Sequence, residues 1–166
     1  MTALNFLRLI ISCLFLALSG TIAAAQTDIA FGAVKADTSL PVEVTADQLD
    51  VNQSDGTALF TGNVAIGQGQ MRMTADQVLV VYDANTSGIA RLEATGNVVL
   101  VSGPDAAEAQ RADYSVNTGT IVMTGDVLLT QGQNALTSET MSIDLATGSA
   151  RMSGRVKTIL APGGRN

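Results

Sequence analysis

The sequence predicts an all-β protein in which many short antiparallel strands form a stack of repeats and fold into two facing sheets. Three observations predict this fold class. A five-residue motif, apolar-Thr/Ser-Gly-x-Val, recurs four times, apolar residues fall at every second position around each copy, and turn-forming residues separate the copies. Recurrence at a nearly fixed period is typical of chains whose units each bury an apolar face against their neighbours.

Each copy of the motif is centred on a glycine, and the four glycines are Gly62, Gly96, Gly125 and Gly154. Successive glycines are 34, 29 and 29 residues apart. In the first copy Phe60, Gly62 and Val64 share one face of a strand, and polar residues alternate with them. Because glycine weakens a strand interior, its recurrence between apolar neighbours predicts that each long strand bends there.

A second motif, Thr-Ala-Asp-Gln, lies between the glycine motifs. It occurs at 45–48 and 74–77, with looser copies around Asp113 and Glu139. At each full copy the apolar alternation slips by one residue, as from Ala75 to Val78. A one-residue slip would turn the following side chains outward unless the strand bulges or turns a corner, so we interpret these sites as strand corners.

The carboxylates of this second motif are the best catalytic candidates by residue type, namely Asp47, Asp76, Asp113 and Glu139. Carboxylate catalysis needs a close pair with separated pKa values, whereas acids at equivalent repeat positions form a row along the stack. We therefore predict a structural role at the corners, no catalytic residues and no enzyme.

Composition narrows the function further. The chain has no histidine and no tryptophan, and its single cysteine is Cys13. Histidine is the commonest general base at neutral pH and the commonest metal ligand, so its absence leads us to predict neither a metal nor a cofactor. A net charge of −6 disfavours nucleic acid as a partner, because phosphates require a basic surface.

The first 25 residues read as a cleavable secretory signal peptide. Arg8 supplies the positive charge, 9–18 is an apolar run too short to span a bilayer, and 23–25 is a small-residue cleavage site. We predict four segments: a signal peptide over 1–25, a flexible N-terminal segment over 26–39, the β-domain over 40–162 and a C-terminal tail over 163–166. Cleavage would remove Cys13 and deliver the protein to the periplasm.

The motifs resemble the OstA-like domain family of periplasmic lipopolysaccharide-transport bridge proteins of Gram-negative bacteria. The resemblance rests on the 41–47 run Pro-Val-Glu-Val-Thr-Ala-Asp, the 60–64 motif with Gln68-Gly69 after it, the 74–76 copy, 124–132 and the final 155–162 stretch. It implies a β-jellyroll of about sixteen antiparallel strands with a V-shaped apolar interior. It also implies head-to-tail stacking into a bridge between inner-membrane and outer-membrane transport components, with the acyl chains of lipid A inside.

The family's Pro-Ile-x-Ile segment matches Pro41-Val42-Glu43-Val44, so Val42 and Val44 are expected lipid contacts. The remaining expected lipid contacts are the apolar residues of the inward rows: Phe60, Val64, Ile66, Met71, Met73, Leu92, Val98, Leu100, Met123, Val127, Met141, Met152 and Val156. The expected edges for head-to-tail self-association comprise Val42, Val44, Arg151, Arg155 and Lys157. Exposed strand edges permit such addition of a further strand.

Two alternatives stay open on the residues alone. A membrane-anchored sister of the same fold would retain the leader and deliver lipid from the inner membrane. A β-repeat scaffold or adhesion protein would have a closed, fully packed core, and the methionine-rich interior fits an ordinary core as well as a gap that admits acyl chains.

Overall fold

The computed structural model describes residues 28–30, 39–86 and 88–160, and these residues form one antiparallel sheet of eleven strands. The strands are β1 (Asp28–Ala30), β2 (Glu43–Thr45), β3 (Gln48–Asn52), β4 (Thr57–Gln68), β5 (Met71–Tyr82), β6 (Ile89–Ser102), β7 (Asp105–Ser115), β8 (Thr120–Gln131), β9 (Asn134–Asp144), β10 (Ser149–Ser153) and β11 (Lys157–Ile159). The predicted all-β fold class is confirmed.

From β3 to β10 each strand pairs with the next one in the chain, so the spatial order of these strands follows the sequence. The order is β1-β10-β9-β8-β7-β6-β5-β4-β2, with β3 also on β4 and β11 also on β9. The first strand thus pairs with the last part of the sheet, where Ile29 lies opposite Ala150. The sequence predicts a flexible segment over 26–39, and the pairing of Asp28–Ala30 with β10 differs from that expectation.

Each long strand passes through a corner at its middle. The pairing register shifts between Thr61 and Val64 of β4, and corresponding shifts occur in every pair from β4·β5 to β8·β9. These shifts divide the sheet into two halves. Layer A consists of β1, β3, β10 and the half-strands 57–61, 77–81, 91–95, 111–115, 120–124 and 140–144. Layer B consists of β2, β11 and the half-strands 64–68, 71–75, 98–102, 105–109, 127–131 and 134–138.

The two layers face each other across one continuous apolar core. The hydroxyl of Tyr114 in layer A donates to Gln68 in layer B, although β7 and β4 are not neighbours in the sheet. Gln131 of layer B likewise donates to the carbonyl oxygen of Ala30 in layer A. The two predicted facing sheets are therefore the two halves of a single folded sheet. The eleven strands fall below the sixteen that the resemblance implies because β4 to β9 run through the corner unbroken.

The predicted signal peptide, its cleavage site, Cys13, most of the 26–39 segment and the 163–166 tail lie outside the described residues. Within the described part of the chain, the structure contains no helix of the length and apolarity that a membrane span requires.

Candidate functional site

The corners are built from two consecutive residues with positive φ. In β4 these are Gly62 (φ 81°) and Asn63 (φ 46°), and β6 repeats them as Gly96 and Asn97. The glycine is also required by space, because a Cβ at Gly62 would lie 2.7 Å from Oδ2 of Asp47. The predicted bend at the glycine motif is confirmed. The predicted inward position of the glycine is wrong, since it faces the corner acid and the strand carries an extra residue there.

The second motif meets the first at the same corner, in the neighbouring strand. Its polar side chain bonds to the residue that follows the motif glycine. Four pairs line up along the stack: Asn63 Nδ2 to Asp47 Oδ2 at 2.7 Å, Asn97 Nδ2 to Asp76 Oδ2 at 2.8 Å, Gln110 Nε2 to Asp126 Oδ2 at 2.7 Å, and Arg155 with Glu139 at 2.6 Å. We call these the corner pairs.

The corner pairs show where the candidate acids lie. Asp47, Asp76 and Glu139 each bind their own partner at a separate corner, so the predicted position at the corners is confirmed for these three. Asp113 was assigned to the same row, and that assignment is wrong. It lies in the middle of the 111–115 half-strand, where Arg111 binds it at 2.9 Å.

Gln110 takes the corner position that the sequence analysis gave to Asp113. Its side chain lies against Gly125, where a Cβ would be 2.8 Å from its Oε1. The signal that could have found it is the distance to the motif glycine: Asp47, Gln110 and Glu139 each precede their glycine by 15 residues, whereas Asp113 precedes Gly125 by 12. Here the donor and acceptor are exchanged: the corner strand supplies an amide and the glycine strand supplies the carboxylate.

Arg111 and Asp113 belong instead to a charged group on layer A. Arg111 bridges Glu93 at 3.0 Å and Asp113 at 2.9 Å, and Arg91 also contacts Glu93. The hydrogen bond and charge of Asp113, followed by those of Glu93, raise the pKa of Arg111 above its ordinary value. Among the described residues no group of three or more His, Cys, Asp or Glu side chains is arranged to hold a metal ion.

Most of the expected lipid contacts lie in the core between the layers. Ten of them are at most 1% exposed: Val64, Ile66, Met71, Met73, Leu92, Val98, Leu100, Met123, Val127 and Met141. Met152 is 9% exposed. The structure therefore brings these residues together on one apolar surface, and they pack against one another in the space between the two layers.

The remaining expected contacts lie where the core meets solvent. Val42, Val44 and Phe60 are half-buried against the core at the β2 and β3 end. A surface cavity of about 380 Å³ lies beside β2, and the residues that line it include Pro41, Glu43 and Thr45, which alternate along the chain with Val42 and Val44. Val156 was placed on the inward row, and that position is wrong: it is 49% exposed between β10 and β11, beyond the corner formed by Gly154 and Arg155.

The two ends of the stack differ in strand pairing and in charge. At the β2 and β3 end, both strands pair on one side with β4, and Glu43, Asp47 and Asp50 are exposed. At the other end β1 covers β10, whereas β11 pairs on one side with β9. Arg151, Arg155 and Lys157 are exposed at that end. The expected assembly cations thus oppose, in sign, the acids of the far end.

Tyr114 and Gln68 place polar atoms inside the apolar core. Each side chain is 1% exposed, and the hydroxyl donates to Oε1 of Gln68 at 2.5 Å. Burial raises the pKa of the Tyr114 hydroxyl above its ordinary value. Gln68 Nε2 also donates to the carbonyl oxygen of Leu40 at 2.9 Å, which holds the segment in front of β2.

Comparison with known proteins gives one family. Residues 43–149 match the family described as LptA/(LptD N-terminal domain) LPS transport protein. The solved structure of LptH, the LptA-homologous periplasmic component of the lipopolysaccharide transport device of Pseudomonas aeruginosa, superimposes with a TM-score of 0.68 over 76% of this chain and 99% of that one. Its sequence is 19% identical, so this likeness bears on the fold.

Curated relatives match over shorter stretches. An uncharacterized protein of Rhizobium meliloti (strain 1021) is 32% identical over 90 residues, covering 50% of this chain and 48% of that protein. The LPS-assembly protein LptD of Sodalis glossinidius is 37% identical over 82 residues, 48% of this chain and 10% of that protein. The lipopolysaccharide export system protein LptA of Escherichia coli (strain K12) is 34% identical over 56 residues, 34% of this chain and 30% of that protein. The chain spans less than half the length of each of these relatives.

Proposed function

Because this chain belongs to the LptA/(LptD N-terminal domain) family of LPS transport proteins, we propose that it is a non-catalytic periplasmic carrier of lipopolysaccharide. In this proposal the acyl chains of lipid A occupy the space between layers A and B while the sugars stay in water. Copies of the protein join head to tail and bridge inner-membrane and outer-membrane transport components. A cleavable signal peptide over 1–25 would export it, which an N-terminal residue of Gln26 in the exported protein would establish.

One observation supports the lipid path above the others: one apolar core runs along the whole stack and becomes more accessible at its ends. Val42, Val44 and Phe60 are half-buried at the β2 and β3 end. At the opposite end the core residues Leu136 and Met152 are 8% and 9% exposed. Between these ends the core is continuous. Transfer of an acyl chain from water to such a surface is favourable by about 0.8 kcal/mol per buried methylene.

Photo-crosslinking tests the path. A photoreactive phenylalanine analogue at Phe60 should crosslink to lipopolysaccharide in cells, and the same analogue at Val101 should not. Phe60 packs against the core, whereas Val101 is 39% exposed and follows the buried Leu100 on β6, so that its side chain lies on the outer face of layer B. Equal crosslinking at both positions, or crosslinking at neither, would contradict an interior path.

A charge in the interior provides the second test. Val44→Asp should abolish crosslinking from Phe60, because a carboxylate at the entrance opposes the entry of hydrocarbon. Val51→Asp is the control, since Val51 is 62% exposed on β3. Circular dichroism should show that both variants remain folded. Persistent crosslinking in folded Val44→Asp protein would contradict the entry of lipid past Val44 into the interior.

Opposite charges at the two ends support head-to-tail self-association. A contact between the β2 and β3 end of one copy and the β11 end of the next is heterologous, and it propagates unless it closes into a ring. We expect the association measured by sedimentation to weaken with added salt and with Lys157→Glu. A Glu43→Lys variant mixed with Lys157→Glu should restore it. Unchanged association in all these samples would exclude this contact.

A further inference from the structure

The side of the interior away from the corner is called the mouth. Among the described residues it is bridged by a buried polar contact between β4 and β7 and by the exposed hydrogen bond from Gln131 to Ala30 at the β1 end. Tyr114 lies four residues beyond the corner residue Gln110 in layer A, and Gln68 lies five residues beyond Asn63 in layer B. At about 3.3 Å per residue, both are roughly 13 to 17 Å from the corner. Their hydrogen bond of 2.5 Å therefore joins the two layers at the mouth.

This bond differs from its surroundings in chemistry. In the sheet, Tyr114 lies between Leu92 and Ile121, which are at most 1% exposed. The Tyr114 hydroxyl donates its hydrogen bond to Oε1 of Gln68, and Nε2 of Gln68 donates to the carbonyl oxygen of Leu40. If the layers separate, water can replace both bonds, so that opening does not leave these polar groups unpaired.

The position of Gln68 links the mouth to the entrance at the β2 end. Through Leu40 it holds the backbone immediately before Pro41, two residues ahead of Val42. Release of the Gln68 side chain would thus free the mouth near β4 and the segment that leads into β2 together. Acyl chains cannot lie between the layers while their headgroup remains in water unless the mouth opens.

We propose that Gln68 and Tyr114 form a latch that keeps layers A and B closed at the mouth and thereby controls the entry of acyl chains. This inference rests on the proposed carrier function for its ligand, but the closing action of the latch is independent of it. The two residues are positioning residues for the opening motion.

The closing action can be measured without lipid. In a Cys13→Ser background, Val80→Cys places a thiol in layer A where the native side chain is 1% exposed. We expect Tyr114→Phe, which removes the hydroxyl alone, to accelerate maleimide labelling of this thiol roughly tenfold. Gln68→Met, which removes both bonds, should accelerate it further, and Tyr82→Phe should leave the rate unchanged. Unchanged labelling in folded Tyr114→Phe and Gln68→Met proteins would overturn the latch.

Lipid entry is then measured with purified lipopolysaccharide carrying a fluorescent acyl chain. We expect Tyr114→Phe to raise the uptake rate together with the labelling rate. Accelerated labelling with no uptake by either wild-type or variant protein would support the latch and contradict the carrier function. Accelerated labelling with an unchanged uptake rate in a protein that does take up lipid would overturn the role of the latch in entry.

Discussion

The third corner pair offers a test of how the corners stabilise the fold. Gln110→Asp would place a carboxylate against the carboxylate of Asp126, whose Oδ2 now accepts a hydrogen bond from Gln110 at 2.7 Å. An aspartate reaches across this corner, because Asp76 meets Asn97 at 2.8 Å and the two corners share the same glycine geometry. The substitution therefore changes one attraction into a repulsion without changing the backbone.

The expected cost is modest because the pair is exposed. Two carboxylates about 4 Å apart repel by about 1 kcal/mol in water, and loss of the hydrogen bond removes about 0.5–1 kcal/mol. We expect Gln110→Asp to lower the free energy of unfolding by about 1–2 kcal/mol. With a urea m-value of about 2 kcal/mol/M, the midpoint should fall by about 0.5–1 M.

The matched rescue is Gln110→Asp combined with Asp126→Asn, which rebuilds the Asp76–Asn97 pair at this corner. Urea unfolding of the wild type, the two single variants and the double variant gives the coupling energy. The double variant should recover most of the lost stability. Salt near 0.5 M should also reduce the defect of Gln110→Asp, since it screens the repulsion. A double variant no more stable than Gln110→Asp, or a single variant as stable as the wild type, would refute the reasoning.

Three further outcomes follow from the same structure. Gly96→Ala should lower the free energy of unfolding by at least about 2 kcal/mol, because the residue has a positive φ and the added Cβ would clash with Asp76. Gly56→Ala should lower it by about 1 kcal/mol in the same urea assay, because Gly56 also has a positive φ but no atom lies within 4 Å of the added Cβ. Because the pKa of Tyr114 is raised, folded protein holds this proton more tightly than unfolded protein does. The contribution of Tyr114 to stability should therefore be complete below about pH 10 and decline above it, and Tyr114→Phe should not show this decline. The backbone N–H groups of Asn85 and Thr86 lower the pKa of Asp83. The contribution of Asp83 to stability should therefore be present above about pH 4 and be lost as the pH falls further, and the melting temperature of Asp83→Ala should change less over that pH range.

The strands and their bends could be predicted from local pattern, because both leave a signal in consecutive residues. Alternation marks the half-strands, and the recurrent glycines mark the corners since few other residues accept their φ. The one-residue shift in the apolar alternation between Ala75 and Val78 indicated the same corner from the neighbouring strand. Two independent local signals thus indicated one structural feature, although their meeting point could not be seen in the sequence.

The rest depends on contacts between distant residues. Asp113 follows an Arg-Ala pair that resembles Thr-Ala before Asp76, but the corner position is fixed by the pairing of β7 with β8, which places Gln110 at Gly125. The bond between Gln68 and Tyr114 joins residues 46 apart, and the pairing of Ile29 with Ala150 joins residues 121 apart. Local periodicity holds no information about such partners.

A filled interior is compatible with reversible carriage of lipid, because an entering acyl chain replaces the contacts that it disrupts. Core side chains such as Leu100 of layer B and Met123 of layer A lose contacts across the core when the layers separate. They gain contacts with the hydrocarbon of the acyl chain, so little apolar surface becomes exposed to water. A twelve-carbon chain leaving water contributes roughly 10 kcal/mol, which exceeds the net value of the few polar bonds at the mouth. The corner pairs lie at the opposite side and stay intact while the mouth opens. Substitutions at the corner should therefore change the stability of the fold, and substitutions at Gln68 or Tyr114 should change the rate of lipid entry.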